Sequence, residues 1–129
     1  MTAPLVLNVD DSALVRGSVA RVLEDYECRL LQAGDGAQGL ELACNNAPDL
    51  ILLDYNMPVL DGVGMLQALR KNPAGTRVKV ILLTANASPE LLLSVARLGV
   101  RDYLIKPFTP EALVAKISRQ ITLHRRAAS

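Results

Sequence analysis

The stretch LLDYNMPVLDG, residues 52–62, ends an apolar run on an acid, Asp54, and continues into a turn that contains proline and glycine. With Leu50 and Ile51 before it, the run is continuous rather than alternating, which is typical of a strand covered by helices on both faces. A buried carboxylate without a partner costs several kcal/mol. The position of Asp54 therefore predicts compensating groups elsewhere in the chain.

Apolar runs alternate with segments of helical period along the whole chain, which is the pattern of successive strand and helix units. The predicted strands are Leu5–Val9, Cys28–Gln32, Leu50–Asp54, Val78–Thr84 and Asp102–Ile105. Five such units with right-handed crossovers form an open parallel sheet with helices on both faces. The sequence therefore predicts an α/β fold.

The predicted helices carry start signals, and two of them carry apolar faces that we can assign. Capping residues precede four helices, at Asp11 or Ser12, Asp35, Ser88 and Thr109. Gly99 is predicted to close the fourth helix. The first helix is predicted to bury Val15, Val19, Val22 and Leu23, and the last helix Val114, Ile117 and Ile121.

Composition limits the classes of partner. The 129 residues suit one domain, and 14 basic against 13 acidic residues give a net charge of +1. That balance gives no electrostatic case for nucleic acid or for an anionic membrane. Cys28 and Cys44 lack CxxC spacing, and the chain has neither a signal peptide pattern nor an apolar stretch of membrane-spanning length. We expect a cytoplasmic protein.

Polar residues follow four of the predicted strands. Asp10 and Asp11 follow the first, Asp54 ends the third, Thr84 ends the fourth and Lys106 follows the fifth. Functional groups of open parallel sheets collect at the carboxyl ends of the strands. Carboxylates suit Mg²⁺, while an ammonium and a hydroxyl suit phosphoryl oxygens. The pattern predicts a magnesium-dependent phosphoryl site with Asp54 as the nucleophile.

Each of these residues also has a purely structural interpretation. Asp10 or Asp11 could cap the first helix, and Asp54 could start a turn. Thr84 could be an ordinary strand end, and Lys106 a solvated surface lysine. The functional interpretation is favoured because all five fall at the strand ends of one alternating pattern.

Four motifs carry a resemblance to a known family. They are VDDS (9–12), DYNMPVLDG (54–62), TA (84–85) and DYLIKPF (102–108). In order and spacing the chain resembles the receiver domain of two-component response regulators, and specifically chemotaxis regulators. The resemblance implies a flavodoxin-like strand order 2-1-3-4-5 in a three-layer sandwich. It also implies a receiver domain over residues 1–124 followed by a tail, 125–129.

The resemblance assigns roles to the residues of the acidic edge. Asp54 would accept a phosphoryl group from a phosphohistidine on a histidine kinase or a histidine phosphotransfer protein. Thr84 and Lys106 would contact the phosphoryl oxygens, and the Lys106–Pro107 peptide bond would be cis. Mg²⁺ would be held by Asp10, Asp11, Asp54 and the backbone carbonyl of Asn56.

The resemblance further implies a signalling switch rather than an enzyme, one that takes part in its own phosphorylation and dephosphorylation. Thr84 and Tyr103 would be the switch residues and would change the surface of the fourth helix, fifth strand and fifth helix. That surface would contact a downstream protein or effector domain, or a second copy of the chain. A helix cannot bury Leu91, Leu92 and Leu93 together, so at least one should be exposed there.

Asn8 and Val100 depart from the family pattern, and two other functions compete. Asn8 lies inside a strand where receivers carry an aliphatic residue, so it needs a buried partner or a less enclosed strand. A phosphohydrolase of the haloacid dehalogenase type also uses an aspartate and Mg²⁺, but it requires a DxD motif after its first strand. A nucleotide or flavin binder would place a glycine-rich or hydroxyl-rich loop where this chain has DDSALV.

Overall fold

The computed structural model describes residues 3–57, 60–100 and 102–127. Strands and helices alternate along the chain. Their bounds are β1 Leu5–Val9, α1 Ala13–Leu23, β2 Arg29–Ala33, α2 Gly36–Asn46, β3 Leu50–Asp54, α3 Gly62–Lys71, β4 Lys79–Thr84, α4 Pro89–Ala96, β5 Asp102–Ile105 and α5 Pro110–Gln120, with a short 3₁₀ turn at Pro73–Gly75. The predicted βα alternation is confirmed.

The five strands form one parallel sheet in the order β2-β1-β3-β4-β5. Two strands differ from the prediction by one residue, β2 at both of its ends and β4 at its start. β2 runs from Arg29 to Ala33, because Cys28 belongs to a turn in which its N–H donates to the carbonyl of Tyr26. β4 begins at Lys79, because the carbonyl of Val78 accepts a hydrogen bond from a side chain, that of Arg70.

Helices cover both faces of the sheet, which is why the central strands are apolar without alternation. β3 is buried along its whole length. On one face, Leu7, Val9 and Leu53 pack with residues of α2, α3 and α4. On the other face, Val6, Leu50 and Leu52 pack with α1 and α5. The residues that follow the strands therefore meet at one edge of a rigid layer.

The predicted helix caps are confirmed, and the structure decides between Asp11 and Ser12 as the cap of the first helix. Ser12, rather than Asp11, caps α1 and accepts a hydrogen bond from the amide of Val15. The other predicted caps accept in the same way, at Asp35, Ser88 and Thr109. Side-chain oxygens thus satisfy an amide that the first turn of each helix leaves free.

The first helix buries Val19 and Leu23 of its predicted face, whereas the last helix buries only Ile117 of its own. In α5 the buried residues are Leu113 and Ile117, while Val114 is only partly buried. Ile121 lies past the end of the helix as its C-cap. Positions 113 and 114 both fall near 117 on a 3.6-residue helix, and contact with the sheet selects 113.

Gly99 closes the fourth helix as predicted, in a Schellman motif in which the N–H of Val100 also donates to the carbonyl of Val95 at 3.1 Å. α4 ends at Ala96 and Arg97 is its C-cap. Gly99 has a φ of 84° in the turn that follows, and its N–H donates to the carbonyl of Ala96. The left-handed backbone expected of a helix-ending glycine is present two residues beyond the cap.

Asn8 is fully buried in β1, and only one of the two polar atoms of its side-chain amide has a hydrogen-bond partner among the described residues. Its Nδ2 donates to Oε1 of Gln32 on β2 at 2.9 Å, and Nε2 of Gln32 donates to the carbonyl of Arg16 at 2.9 Å. Its Oδ1 has no hydrogen-bond partner among the described residues. The strand is therefore enclosed, and the amide keeps one buried acceptor without a donor.

Replacing Asn8 with valine should stabilise the protein by about 1 kcal/mol, because a buried acceptor without a donor is removed. The neighbouring core on this face is aliphatic, and valine suits a buried strand. Chemical denaturation of both proteins measures the difference. A variant less stable than the parent would mean that Oδ1 is satisfied in solution or that the bond to Gln32 outweighs the cost.

The end of the described chain folds back on the turn before β2. The N–H of Glu27 donates to the carbonyl of His124 at 2.7 Å, and the N–H of Arg126 donates to the carbonyl of Asp25 at 2.8 Å. Arg125 lies over the ring of Tyr26, 5.6 Å from its centre. The division into 1–124 and 125–129 stays a prediction. In the described ranges, no helix is long and apolar enough to cross a membrane.

Candidate functional site

The acids predicted to converge lie together at the carboxyl edge of the sheet. One carboxylate oxygen from each of Asp10, Asp11 and Asp54 can be chosen so that all three lie within 4.8 Å of one another. Asp10 and Asp54 are buried, whereas Asp11 is exposed. β1 and β3 are neighbours in the sheet, so their ends bring together acids that are 44 residues apart in the chain, 10 and 54.

Asp10 is fixed by contacts on several sides. Its Oδ1 accepts a hydrogen bond from the N–H of Ser12 at 2.9 Å, and its own N–H donates to the carbonyl of Ala33 at 3.0 Å. Nη1 of Arg16 donates to the carbonyl of Asp10 at 2.6 Å. Arg16 is a positioning residue that the sequence analysis missed. The only signal was its place one helical turn after the Ser12 cap.

Lys106 reaches both buried acids. Its ammonium lies 2.7 Å from Oδ2 of Asp10 and 3.1 Å from Oδ1 of Asp54. The N–H of Lys106 donates to the carbonyl of Thr84, which continues the pairing of β4 and β5 past the last strand residue. The predicted cis peptide bond before Pro107 is confirmed. Lys106 is therefore part of the acidic cluster and is not a solvated surface lysine.

The loop after β3 requires a glycine beside the acceptor. A Cβ on Gly62 would lie 2.7 Å from the backbone oxygen of Asp54 and 3.0 Å from Cα of Tyr55. Such contacts are too short for a side chain, so Gly62 lets α3 start directly against the end of β3. Asp61 caps that helix by accepting from the N–H of Gly64 at 2.7 Å. Of the DYNMPVLDG motif, Pro58 and Val59 lie outside the described residues.

The electrostatics of the cluster are dominated by burial. Burial raises the pKa of Asp54 to about 6, and the nearby charge of Asp10 adds to the rise, although Lys106 opposes it. Burial alone would lower the pKa of Lys106, but its hydrogen bonds to Asp10 and Asp54 and their charges outweigh burial, so its pKa is raised. The single positive charge of Lys106 therefore only partly neutralises the negative charge of Asp10, Asp11 and Asp54.

The raised pKa of Asp54 predicts a fall in stability with rising pH in metal-free buffer. The folded protein holds a proton at Asp54 up to about pH 6, whereas the unfolded chain loses it near its ordinary pKa of 3.8. Stability attributable to this residue is therefore lost as pH rises between these values, by on the order of 2–3 kcal/mol. Urea denaturation of the parent and Asp54→Asn proteins at several pH values isolates the effect. A parent that gains stability relative to the variant as pH rises would contradict it.

Thr84 lies at the same edge with its hydroxyl engaged elsewhere. The side chain is buried, and its Oγ1 donates a hydrogen bond to the carbonyl of Asn86 at 3.0 Å. The same Oγ1 accepts a hydrogen bond from the N–H of Asn86 at 3.2 Å. Asn56 is exposed in the loop after β3. The roles of Thr84 toward a phosphoryl group and of the Asn56 carbonyl toward a metal stay predictions.

Tyr103 points away from the acidic edge. Its side chain is 37% exposed, and the ammonium of Lys116 lies 5.5 Å from the centre of its ring. A small cavity beside it is lined by Val95 and Ala96 of α4 and by Val100 of the turn that follows α4. Of the three leucines of α4, Leu91 is buried and Leu93 is 59% exposed, as the sequence predicted for at least one of them.

The donor set fits a hard divalent cation. Three carboxylates whose oxygens lie within 4.8 Å of one another, two of them buried, offer oxygen ligands, and Mg²⁺ typically takes one or two protein carboxylates and keeps several waters. The incomplete compensation of the acids by Lys106 also favours a cation here. Nothing in the described part of the chain offers a histidine or thiol ligand to this cluster.

Comparisons with known proteins find relatives that match most of the chain. The family model for the response regulator receiver domain matches residues 6–118. A probable chemotaxis protein CheY of Rhizobium etli is 38% identical over 113 residues, which are 87% of this chain and 88% of that protein. The transcriptional regulatory protein PrrA of Mycobacterium bovis is 40% identical over 129 residues, but the chain spans only 54% of its length.

Solved structures are similar to the whole fold. The chemotaxis protein CheY4 of Vibrio cholerae is 33% identical, with a TM-score of 0.87 over 94% of this chain and 100% of that one. The receiver domain of the sensor histidine kinase PA1611 of Pseudomonas aeruginosa is 31% identical, with a TM-score of 0.83 over 92% and 98%. It has a magnesium ion coordinated in its active site cleft. The chain therefore belongs to the receiver domain family of two-component response regulators, in which phosphorylation and signalling are characteristic.

Proposed function

We propose that Asp54 accepts a phosphoryl group from a phosphohistidine on a histidine kinase or a histidine phosphotransfer protein. The observation that carries the proposal is the convergence of Asp54 with Asp10, Asp11 and the Lys106 ammonium in one half-buried pocket. Mg²⁺, when bound by Asp10, Asp11, Asp54 and the Asn56 carbonyl, would supply positive charge to the phosphoryl oxygens.

The chemistry is a phosphoryl transfer between two protein side chains. A carboxylate oxygen of Asp54 forms a bond to phosphorus as the bond between phosphorus and the imidazole nitrogen of the donor breaks. The electron pair of that bond stays on the imidazole, which takes up a proton. Asp10 and Asp11 hold the pocket negative until a cation binds, and Lys106 is free to move its hydrogen bond from Asp54 to the incoming oxygens.

An apolar side chain beside the pocket suits the docking of the donor. Leu14 is 82% exposed in the first turn of α1, four residues after Asp10. An exposed leucine is ordinary alone, but here it lies at the edge where the phosphohistidine must approach. We therefore assign to Leu14 a contact with the donor protein.

Phosphorylation would alter the surface formed by α4, β5 and α5. The Thr84 hydroxyl bonds to Asn86, so binding a phosphoryl oxygen requires it to leave that partner and to draw in the loop between β4 and α4. Tyr103 would then leave the Lys116 ammonium and turn toward the space next to Val95 and Val100. The altered surface would bind a downstream protein, an effector domain or a second copy of this chain.

Acetyl phosphate, a small donor, tests acceptance without a cognate kinase. We expect one phosphoryl group per chain with Mg²⁺ and none with EDTA, as measured by intact mass. The bond should be labile in base, as expected for an acyl phosphate. Rapid multiple turnover of a generic phosphate ester such as p-nitrophenyl phosphate would instead indicate a hydrolase, and a base-stable label would contradict the proposal.

A further inference from the structure

A second charged feature lies at the opposite edge of the sheet from Asp54. An open cleft of about 600 Å³ surrounds the amino end of β4, and four cations line it, Arg70, Arg77, Lys79 and Arg97. No acidic residue is among its lining residues. β4 is six residues long, so this basic cleft is separated from Thr84 by roughly 16 Å along the strand. It is not part of the acidic pocket.

Arg70 builds the walls of the basic cleft. Its Nε donates to the carbonyl of Leu98 at 2.7 Å, and its Nη1 donates to those of Gly75 and Val78 at 3.0 and 2.8 Å. These bonds tie the turn after α4 to the segment before β4. They also cover three carbonyl oxygens that would otherwise repel an anion. The hydrogen bonds of Arg70 therefore fix the two walls of the basic cleft relative to each other.

The positive charge of the basic cleft is not neutralised within the described chain. None of its four cations forms an ion pair with a described carboxylate, whereas nearby Asp102 is already paired with Lys116 and Arg119. Burial without a counter-charge lowers the pKa of Arg70. Lys79 donates to the carbonyl of Gln120 at 2.6 Å and so offsets the negative end of α5. Arg77 and Arg97 are exposed and remain available.

We propose that the basic cleft binds a small anion that carries two or more phosphate groups. The two available guanidinium groups, those of Arg77 and Arg97, favour more than one anionic group, because each matches phosphate oxygens with paired hydrogen bonds. The volume lies within the range of small-molecule sites. Apolar residues line the cleft between the charges, at Val78, Val80 and Leu98, and suit a nucleoside attached to the phosphates.

The test uses the whole chain in EDTA at physiological ionic strength, so that the acidic pocket cannot hold phosphate through a metal. Pyrophosphate, ATP and AMP are titrated by calorimetry, and amide shifts of Lys79, Leu98 and Gly99 report the place of binding. We expect saturable binding of pyrophosphate and ATP, with AMP at least about tenfold weaker. Equal affinities of pyrophosphate and ATP would identify the phosphates alone as the ligand, and tighter ATP would identify a nucleotide.

Matched variants distinguish binding of pyrophosphate in the basic cleft from its general attraction to a positively charged protein. Arg77→Ser with Arg97→Ser should weaken pyrophosphate binding by at least about tenfold, because two charge-assisted contacts are lost. Arg21→Ser with Lys71→Ser makes the same change in net charge on exposed residues outside the cleft and should leave binding unchanged. Asp54→Asn should also bind normally, so this test is independent of the phosphorylation proposal.

Three results would overturn the proposal. One is an equal loss of affinity in both double variants. Another is the absence of saturable binding of pyrophosphate and ATP at millimolar concentration. The third is binding of a single-stranded oligonucleotide or an acidic peptide at the cleft when neither phosphate ligand binds.

Discussion

Replacing Asp54 with asparagine will abolish phosphorylation by acetyl phosphate and Mg²⁺. Asparagine preserves the shape of the side chain but lacks the anionic oxygen that must attack phosphorus. We expect the rate of labelling to fall by at least about a thousandfold, in the range of losses seen when an enzyme nucleophile is removed. Intact mass after a fixed time in acetyl phosphate measures the effect.

The matched control for this variant is Asp61→Asn. Asp61 is exposed, lies in the loop that follows Asp54 and caps α3, and asparagine caps a helix as well as aspartate does. This control should be labelled at the parental rate. Equal labelling of the Asp54 variant and the parent would mean that another residue is the acceptor.

Replacing Lys106 with methionine will impair both stability and phosphorylation. The buried carboxylates of Asp10 and Asp54 would lose their shared cation, and in metal-free buffer at neutral pH this should cost about 3–5 kcal/mol of stability. The cost should shrink below about pH 6, where Asp54 holds a proton, and on addition of Mg²⁺. Labelling should slow by roughly a hundredfold, because a charge that stabilises the transferring phosphoryl group is missing.

Lys116→Met is the control for the loss of a paired lysine. Lys116 lies 2.6 Å from Asp102 in a partly buried pair outside the acidic cluster, and Arg119 remains 4.0 Å from that acid. We expect a loss of at most about 1 kcal/mol, with no change in labelling by acetyl phosphate. If the Lys106 variant matched this control in stability and labelling, Lys106 would not be the cation of the pocket.

The convergence of the three acids and Lys106 was predictable from the chain because parallel strands end at a common edge. That rule places Lys106 against Asp10, although 96 residues separate them. The caps at Ser88 and Thr109 follow from local signals, whereas the strand order was implied by the resemblance to a known family. Burial of Asp54 also follows from its place at the end of a fully apolar strand.

Hydrogen bonds for which a side chain has several possible partners nearby were not predictable from the sequence. The Thr84 hydroxyl bonds to Asn86, and an ST-type local bond of this kind leaves no sequence signature. Arg70 and Arg16 bind backbone carbonyls, which are equally available at every residue. The prediction of the buried face of α5 was wrong by one position. Leu113 and Val114 can each share an apolar helix face with Ile117, and the sequence does not say which of them does.

Mapping the phosphorylated residue tests the central claim most directly. Borohydride reduces an acyl phosphate of aspartate to homoserine, so reduction followed by peptide mass spectrometry marks the acceptor in the unmodified sequence. We predict homoserine at position 54 alone, formed with Mg²⁺ and absent in EDTA. Homoserine at another aspartate, or at position 54 without a divalent cation, would contradict a magnesium-dependent acceptor built from Asp10, Asp11, Asp54 and Lys106.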